Sequence, residues 1–342
     1  MAQGEFNLIR RYFAQPALNF KKASVLLGPG DDAAILSIPA GKQLVVSMDT
    51  LNESVHFPAD ADPFLLAQRC LLVNLSDLAA MAAEPLAFTL SISLPEPDEN
   101  WLEAFSQGLA VVANAYQCPL IGGDTTRGPM SVCIQVHGLV PAGKALLRSG
   151  AKSGDAIYVT GELGDAAAAL WWLMSDTRLN QRALSRPSEQ VLNQAFYQPD
   201  ARINAGVALR DCASAMLDIS DGLASDLRHI LRASSTDTNS LGAVLDSRLL
   251  PLSDIFRTMV PEQEQIKLAL SGGDDYELCV CVPASRETDA RAAMAVLGIR
   301  FTRVGTVVDC VGIDQAGIQL VDAEGAIKAL DWQGYTHFVQ GG

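Results

Sequence analysis

Basic side chains are scarce in this chain. Lys and Arg number 25 against 39 Asp and Glu, a formal net charge of -14, which repels a phosphate backbone and lacks the basic footprint of nucleic-acid binders. No nucleic acid is expected as a partner. Long apolar runs are also missing. The most apolar stretch, Ala166 to Met174, is half a membrane span, and the opening MAQGEFNLIRRYF has no long apolar core behind a basic segment. The expectation is a protein neither exported nor embedded in a membrane. Cysteine appears at 70, 118, 133, 212, 279, 281 and 310 without a CxxC pair, and the odd count argues against a disulfide framework. A reducing cytoplasm fits that usage. The common nucleotide signatures are absent as well: there is no GxxxxGK[ST], no HRD loop and no DFG, and GPGDDA is not GxGxxG.

What is present is the balance of an ordinary folded protein, with 49% apolar and 19% charged residues. A length of 342 residues exceeds what one core usually supports, so two domains of about 150 residues each are expected. After a short amphipathic segment over Phe6 to Phe13, strands and helices alternate, which predicts a mixed α/β (α+β) protein. Val45 to Met48, Ala87 to Leu94, Ser131 to Val140 and Ala156 to Thr160 read as strands, and Pro63 to Met81 and Trp101 to Ala115 as helices. Cys279 and Cys281 alternate within Leu278 to Val282 and are placed on one face of a buried strand. Glycine, lysine and serine collect in PAGKALLRSGAKSG, residues 141–154, as in an inter-domain linker. The domains are therefore set at 1–147 and 148–342. Ser175 to Glu189, with Pro187, and Ser234 to Ser240 read as loops.

Five short segments set an aspartate at a glycine-rich or strand-end turn: GPGDDAA at 28–34, SMDT at 47–50, GGDTT at 122–126, DISDG at 218–222 and SGGDDYE at 271–277. Glycine lets backbone come close to a ligand, and aspartate supplies hard oxygen for magnesium. Any one of them is also an ordinary turn or helix cap. Together they describe a metal-phosphate site, since a polyphosphate and several carboxylates share a pocket only with divalent cations between them. The helical NLSDLAAM at 74–81 adds Asp77, which lies in an apolar stretch where an unpaired carboxylate is costly, so a ligand role is favoured there. GELGDAAA at 161–168 follows a strand and opens a helix, and it could turn backbone N–H groups to an anion.

In this order GEFNLIRRYF, GPGDDAA, DTLNESVHF, NLSDLAAMAAEP, IGGDTTRG, RSGAKSGD, YVTGELGD, DISDGLASDL, SGGDDYEL and DWQGYTHF resemble the bacterial thiamine-monophosphate kinases nearly end to end. That family is similar in turn to the aminoimidazole-ribonucleotide synthetase superfamily. The resemblance implies a two-domain fold whose N-terminal domains pair into a β-barrel across a homodimer, with ATP as co-substrate and thiamine monophosphate as acceptor. It implies magnesium ligation by Asp32, Asp49, Asp77, Asp124, Asp218 and Asp221, with oxygen from Ser47 and Met48. Gly123, Asp124, Arg148 and Ser220 match the family's ATP contacts; a guanidinium suits phosphate because its fork bonds two oxygens. His56, Asp274 and Trp332 match positions facing thiamine phosphate, where an indole can stack on a cationic ring. Asp77, Asp124 and Arg148 carry the catalytic roles.

Two departures stand out. Asp274 replaces a longer glutamate common in the family, and Met48 stands where a threonine is common, so any metal contact at Met48 comes from its carbonyl. The expected reaction is in-line attack by an acceptor phosphate oxygen on the γ-phosphorus of ATP, without a phospho-enzyme. Such an acceptor is already anionic and needs positioning and charge stabilisation more than a base. Rival readings are another ATP-dependent reaction of the superfamily, amidine ring closure or selenophosphate formation, and a non-catalytic nucleotide- or cation-binding module. The lack of a candidate catalytic cysteine near the N-terminus speaks against selenophosphate chemistry, and the retained acceptor positions speak against a mere binding module.

Overall fold

The computed structural model describes residues 5–174, 186–310 and 317–330. It divides into one unit of Met1–Leu78, Ala83–Gly143 and Tyr197–Pro199, and a second of Ala79–Ala82, Lys144–Phe196 and Asp200–Gly342.

In the first unit a short helix α1 (Glu5–Leu8) runs into a π-helical turn (Ile9–Phe13). The small antiparallel pair β1 (Val25–Leu27) and β2 (Ile35–Leu36) follows. Then come β3 (Lys42–Asn52), α2 (Pro63–Ala80), β4 (Glu84–Leu94), α3 (Glu99–Ala115), β5 (Leu120–Arg127) and β6 (Ser131–Pro141). The sheet order is β3-β6-β4-β5, with only β4 and β5 parallel. The sequence SVCIQVHGLVP explains how this sheet sits. Val132, Ile134, Val136, Gly138 and Val140 are buried and the residues that alternate with them are not, as expected of a sheet covered on one face. On β3 the same alternation leaves Leu44, Val46 and Met48 outside, 42%, 47% and 58% exposed. Helix α3 starts on Asp98, whose carboxylate accepts from the N–H groups of Asn100 and Trp101, the usual satisfaction of orphan helix donors.

The second unit holds β7 (Ala156–Thr160), α4 (Asp165–Met174), α5 (Arg186–Tyr197), α6 (Ile203–Leu209), β8 (Ala215–Asp218), α7 (Leu223–Ser234) and β9 (Leu241–Asp246). It continues with α8 (Asp254–Met259), α9 (Glu262–Ser271), β10 (Leu278–Val282), α10 (Glu287–Val296), β11 (Phe301–Asp309), β12 (Ile318–Val321) and β13 (Ile327–Ala329). The strands form one sheet in the order β13-β12-β9-β11-β7-β10-β8. Strands β7, β10 and β8 are buried at every residue, which matches their continuous apolar sequences AIYVT, LCVCV and AMLD. Cys279 and Cys281 lie in the middle of that core.

Three expectations change. SMDT and GGDTT are not turns: Asp49 lies inside β3 and Asp124 inside β5, because ladder pairing with β6 and β4 outweighs the turn preference of glycine and aspartate. Pro187 is not in a loop, since α5 begins at Arg186; in the first turn of a helix the missing proline N–H would have no partner anyway. The rest of that segment, 175–185, lies outside the described residues. Among the described residues no helix is long and apolar enough to cross a membrane.

Gly108 of α3 faces α2 so closely that a Cβ would sit 2.1 Å from the Phe64 carbonyl oxygen. Gly108→Ala should therefore destabilise the protein by about 1–3 kcal/mol or more, the usual range for overpacking, read as a lower urea midpoint at unchanged slope.

Candidate functional site

Strand β3 turns Ser47 and Asp49 to one face and Met48 to the other, because successive strand residues alternate. The face of Ser47 and Asp49 meets α2. Ser47 Oγ donates to Asp77 Oδ2 at 2.5 Å. One turn earlier Asn74 Oδ1 accepts from the Asp49 N–H at 2.9 Å, while its amide donates to the Cys70 carbonyl at 2.9 Å. Spacing along the helix makes this possible, since residues three apart share a face. Asp77 is half-buried among buried Leu75, Leu78 and Ala79. The sequence reading missed Asn74, although its place in NLSD beside Asp77 was the available signal. Asp49 is exposed as a residue, but its carboxyl is desolvated against α2; that desolvation first, and the charge of Asp77 second, push it up to about 6.

A second group lies on the other face of the sheet. The cross-strand row through Asp124 is Ser91, Cys133 and Thr50, whereas the row through Asp49 is Ile134, Leu90 and Gly123. Asp124 and Asp32 line a cavity of about 760 Å³, together with Gly30, Gly123, Arg10 and Phe13. Gly123 has a steric reason to be glycine, since a Cβ there would stand 1.8 Å from the Leu90 carbonyl oxygen. His56 is engaged locally: its Nδ1 accepts from the Asn52 N–H at 3.0 Å, which places the ring proton on Nε2 when the imidazole is neutral.

In the second unit the DISDG and SGGDDYE segments interlock. Asp274 N–H donates to the Ser220 carbonyl at 2.9 Å, Tyr276 N–H to Ile219 at 2.8 Å, and Ile219 N–H to Glu277 at 2.8 Å. A Cβ on Gly273 would lie 2.4 Å from the Ser220 carbonyl oxygen, so glycine permits the contact. Ser220, Asp221 and Asp274 are thereby brought together, next to the buried Asp218 at the end of β8. Asp226 organises the turn: its Oδ2 accepts from the N–H groups of Ser220 (3.0 Å) and Asp221 (2.9 Å). Burial pushes its carboxyl up to about 7, and the charge of Asp221 adds to this. The two N–H bonds and the Arg148 guanidinium oppose it. Arg148 thus stands within electrostatic reach of this turn. Asp226 is a functional residue that the sequence pattern alone does not single out; its signal in DISDGLASDL is a carboxylate in the first turn of α7. At GELGD the anion that meets the turn is the protein's own, since Gly164 N–H donates to Asp275 Oδ1 at 2.8 Å.

Among the described residues no three His, Cys, Asp or Glu side chains form a group that could hold a metal ion. The donors come as pairs of carboxylates with hydroxyl or backbone oxygens. That set fits magnesium, which is usually held by one or two carboxylates plus substrate phosphates and water rather than by an all-protein cage. Trp332, the expected stacking residue, lies outside the described residues, as does the DWQGYTHF segment.

The AIR synthase related protein N-terminal domain matches residues 30–140 and the corresponding C-terminal domain matches 152–314. The chain is 46% identical over 338 residues to the thiamine-monophosphate kinase of Salmonella typhimurium, covering 99% of both. It is similar to the crystal structure of thiamine-monophosphate kinase from Stenotrophomonas maltophilia, with a TM-score of 0.81, 40% identity and coverage of 94% of this chain and 97% of that one. It is also similar to AaThiL complexed with AMPPCP and TMP, with a TM-score of 0.74, 28% identity and coverage of 98% and 97%.

Asp226 yields a pH prediction for the metal-free protein. Its folded value of about 7 lies above the ordinary 3.8, so its contribution to stability is complete below pH 3.8 and is lost as the pH climbs through 7. Each unit of separation is worth about 1.4 kcal/mol. Asp226→Asn keeps an acceptor oxygen and removes the titration. Thermal melts across this window should show the wild type losing stability with rising pH on the order of a few kcal/mol, and the variant losing distinctly less.

Proposed function

Because this chain belongs to the thiamine-monophosphate kinases among the AIR synthase related proteins, we propose that it transfers the γ-phosphoryl group of ATP to thiamine monophosphate, giving thiamine diphosphate. The observation that carries the reading is the Ser47, Asp49 and Asp77 group, which puts hard oxygens from β3 and α2 in one place within a chain that matches such a kinase over 99% of its length. The complex of the ThiL neighbour with AMPPCP and TMP supports the two substrates.

In this reading Asp32, Ser47, Asp49, Asp77, Asp124, Asp218 and Asp221, with the carbonyl of Met48, hold magnesium. When bound, that metal neutralises phosphate charge and the charge that develops on the transferred group. Gly123, Asp124, Arg148 and Ser220 bind ATP. Arg148 supplies a two-pronged cation for phosphate oxygens, and Ser220 is held in place by the Asp226 and Asp274 contacts. His56, Asp274 and Trp332 receive the acceptor. The chain's task is to bind and align, since the attacking phosphate oxygen is anionic and needs no strong base.

The reading extends to organisation. An N-terminal domain over 1–147 binds metal and ATP and dimerises, and a C-terminal domain over 148–342 completes the protein, in line with two compact units parting at Gly143 and Lys144. Exposed Leu44, Val46 and Met48 on the edge strand β3 are an apolar row that a partner strand would cover, which supports a homodimer closed into a β-barrel. Seven cysteines outside any disulfide among the described residues support a cytoplasmic enzyme.

ADP release measured with and without thiamine monophosphate tests the function: release that ignores the acceptor would reject it. Asp77→Asn should cut turnover by orders of magnitude, since metal charge stabilisation is worth several kcal/mol. Its metal-free stability should hold or rise as repulsion from Asp49 eases. Near-normal turnover would remove Asp77 as an essential ligand. Sedimentation at micromolar concentration should give a dimer.

A further inference from the structure

The segment that carries Asp274 is held in an unfavourable backbone shape. Asp274 and Tyr276 both have left-handed backbones, with φ of 72° and 49°, conformations that non-glycine residues keep only when the surroundings over-determine them. Tyr276 Oη donates to Asp274 Oδ1 at 3.3 Å. The neighbours on either side turn into the protein. Asp275 accepts the Gly164 N–H, and Glu277, 8% exposed, meets Arg202 from the turn before α6.

Arg202 grips Glu277 with a fork. Its Nε donates to Oε2 and its Nη2 to Oε1, both at 2.6 Å, while its Nη1 donates to Asp200 Oδ2 at 2.6 Å. Thr160 Oγ1 gives Glu277 Oε2 a further bond at 2.6 Å and accepts from the Leu278 N–H at 2.8 Å. Room for the pair exists because residue 161 is glycine: a Cβ there would lie 1.9 Å from Glu277 Oε1. A planar fork fixes direction as well as charge, which a lysine cannot reproduce. Buried pairs of this kind add little net stability compared with apolar packing, and their best-attested use is to fix one arrangement among several.

We propose that Arg202 is a positioning residue for the acceptor side of the reaction: its fork on Glu277 locks residues 273–277 in the left-handed arrangement that presents Asp274, with Tyr276 beside it, to thiamine monophosphate. This rests on the reading of Asp274 as an acceptor contact. Arg202 touches neither the proposed ATP contacts nor the proposed metal ligands in any of these bonds. Ser220, the proposed ATP contact bonded to this segment, keeps its second anchor on Asp226 when residues 273–277 shift, so the loss falls chiefly on the acceptor side.

The test is steady-state kinetics on the full chain with each substrate varied in turn. Arg202→Lys keeps the charge and loses the fork, and it should raise the KM for thiamine monophosphate about tenfold with the KM for ATP within about twofold, the pattern of a lost binding contact for one substrate. Thr160→Val leaves the ion pair and removes one bond to Glu277; it should raise the same KM by a smaller factor, and it carries the test if the lysine variant does not fold. A lower melting temperature with both KM values unchanged would overturn the proposal, as would equal rises in both. Wild-type protein is assayed in parallel: if it releases no ADP in response to thiamine monophosphate, the function assigned to the chain fails, whereas an active wild type with unaltered acceptor KM in both variants refutes the role of Arg202 alone.

Discussion

Asp49, Asp165 and Asp226 are pushed up to about 6, 6 and 7, in each case by burial first, with a neighbouring carboxylate adding to it. Carboxylates that the fold takes out of water and sets beside one another are the constraint on which both units turn. In water two such charges about 4 Å apart cost about 1 kcal/mol, and at a protein surface about 4. A chain that only had to fold would separate them. This one holds them with hydroxyl and backbone N–H groups: Ser47 donates to Asp77, the Asp49 N–H donates to Asn74, and two backbone amides donate to Asp226.

Beside these groups backbone segments come unusually close. Gly123 lets β5 run against Leu90, and Gly273 lets the 272–277 segment lie on Ser220. In the second unit the result is a loop fastened by three backbone bonds and flanked by Asp226 and the Glu277–Arg202 pair. In the transfer proposed above, such a frame orients groups before a substrate arrives, which is where catalysis without a strong base must find its rate. The scarcity of histidine and the abundance of aspartate are then two sides of one chemistry.

The sequence carried the chemistry further than the local structure. The NLSD helix, the alternating β6 and the buried LCVCV strand were legible because period 3.6 and period 2 survive in those residues. The strand nature of GGDTT was not, since glycine and aspartate carry turn preference and the pairing that overrides it is long-range, with β4 some thirty residues earlier in sequence. Asp226, Arg202 and Glu277 stayed silent for a related reason. A carboxylate in a helix turn and an arginine before a short helix look like solvated surface until the fold buries them. The assignment of particular aspartates to metal and nucleotide came from resemblance to a family, and no spacing in this chain alone would have supplied it.

Asp274 illustrates how a local departure follows from the backbone. The family's common residue there is glutamate, and the aspartate gives up one methylene of reach. At φ 72°, however, the backbone lies in the left-handed region, where aspartate and asparagine are enriched several-fold because their short polar side chains bond locally. The bond from Tyr276 Oη to Asp274 Oδ1 is such a local contact. A shorter acid therefore relieves part of the strain that the interlocked loops impose, and it keeps a carboxylate at the position that, on the function proposed above, faces the acceptor. Reach is exchanged for conformational ease, and the rigid frame around Glu277 becomes more important, because a short side chain cannot correct for a loop that is displaced.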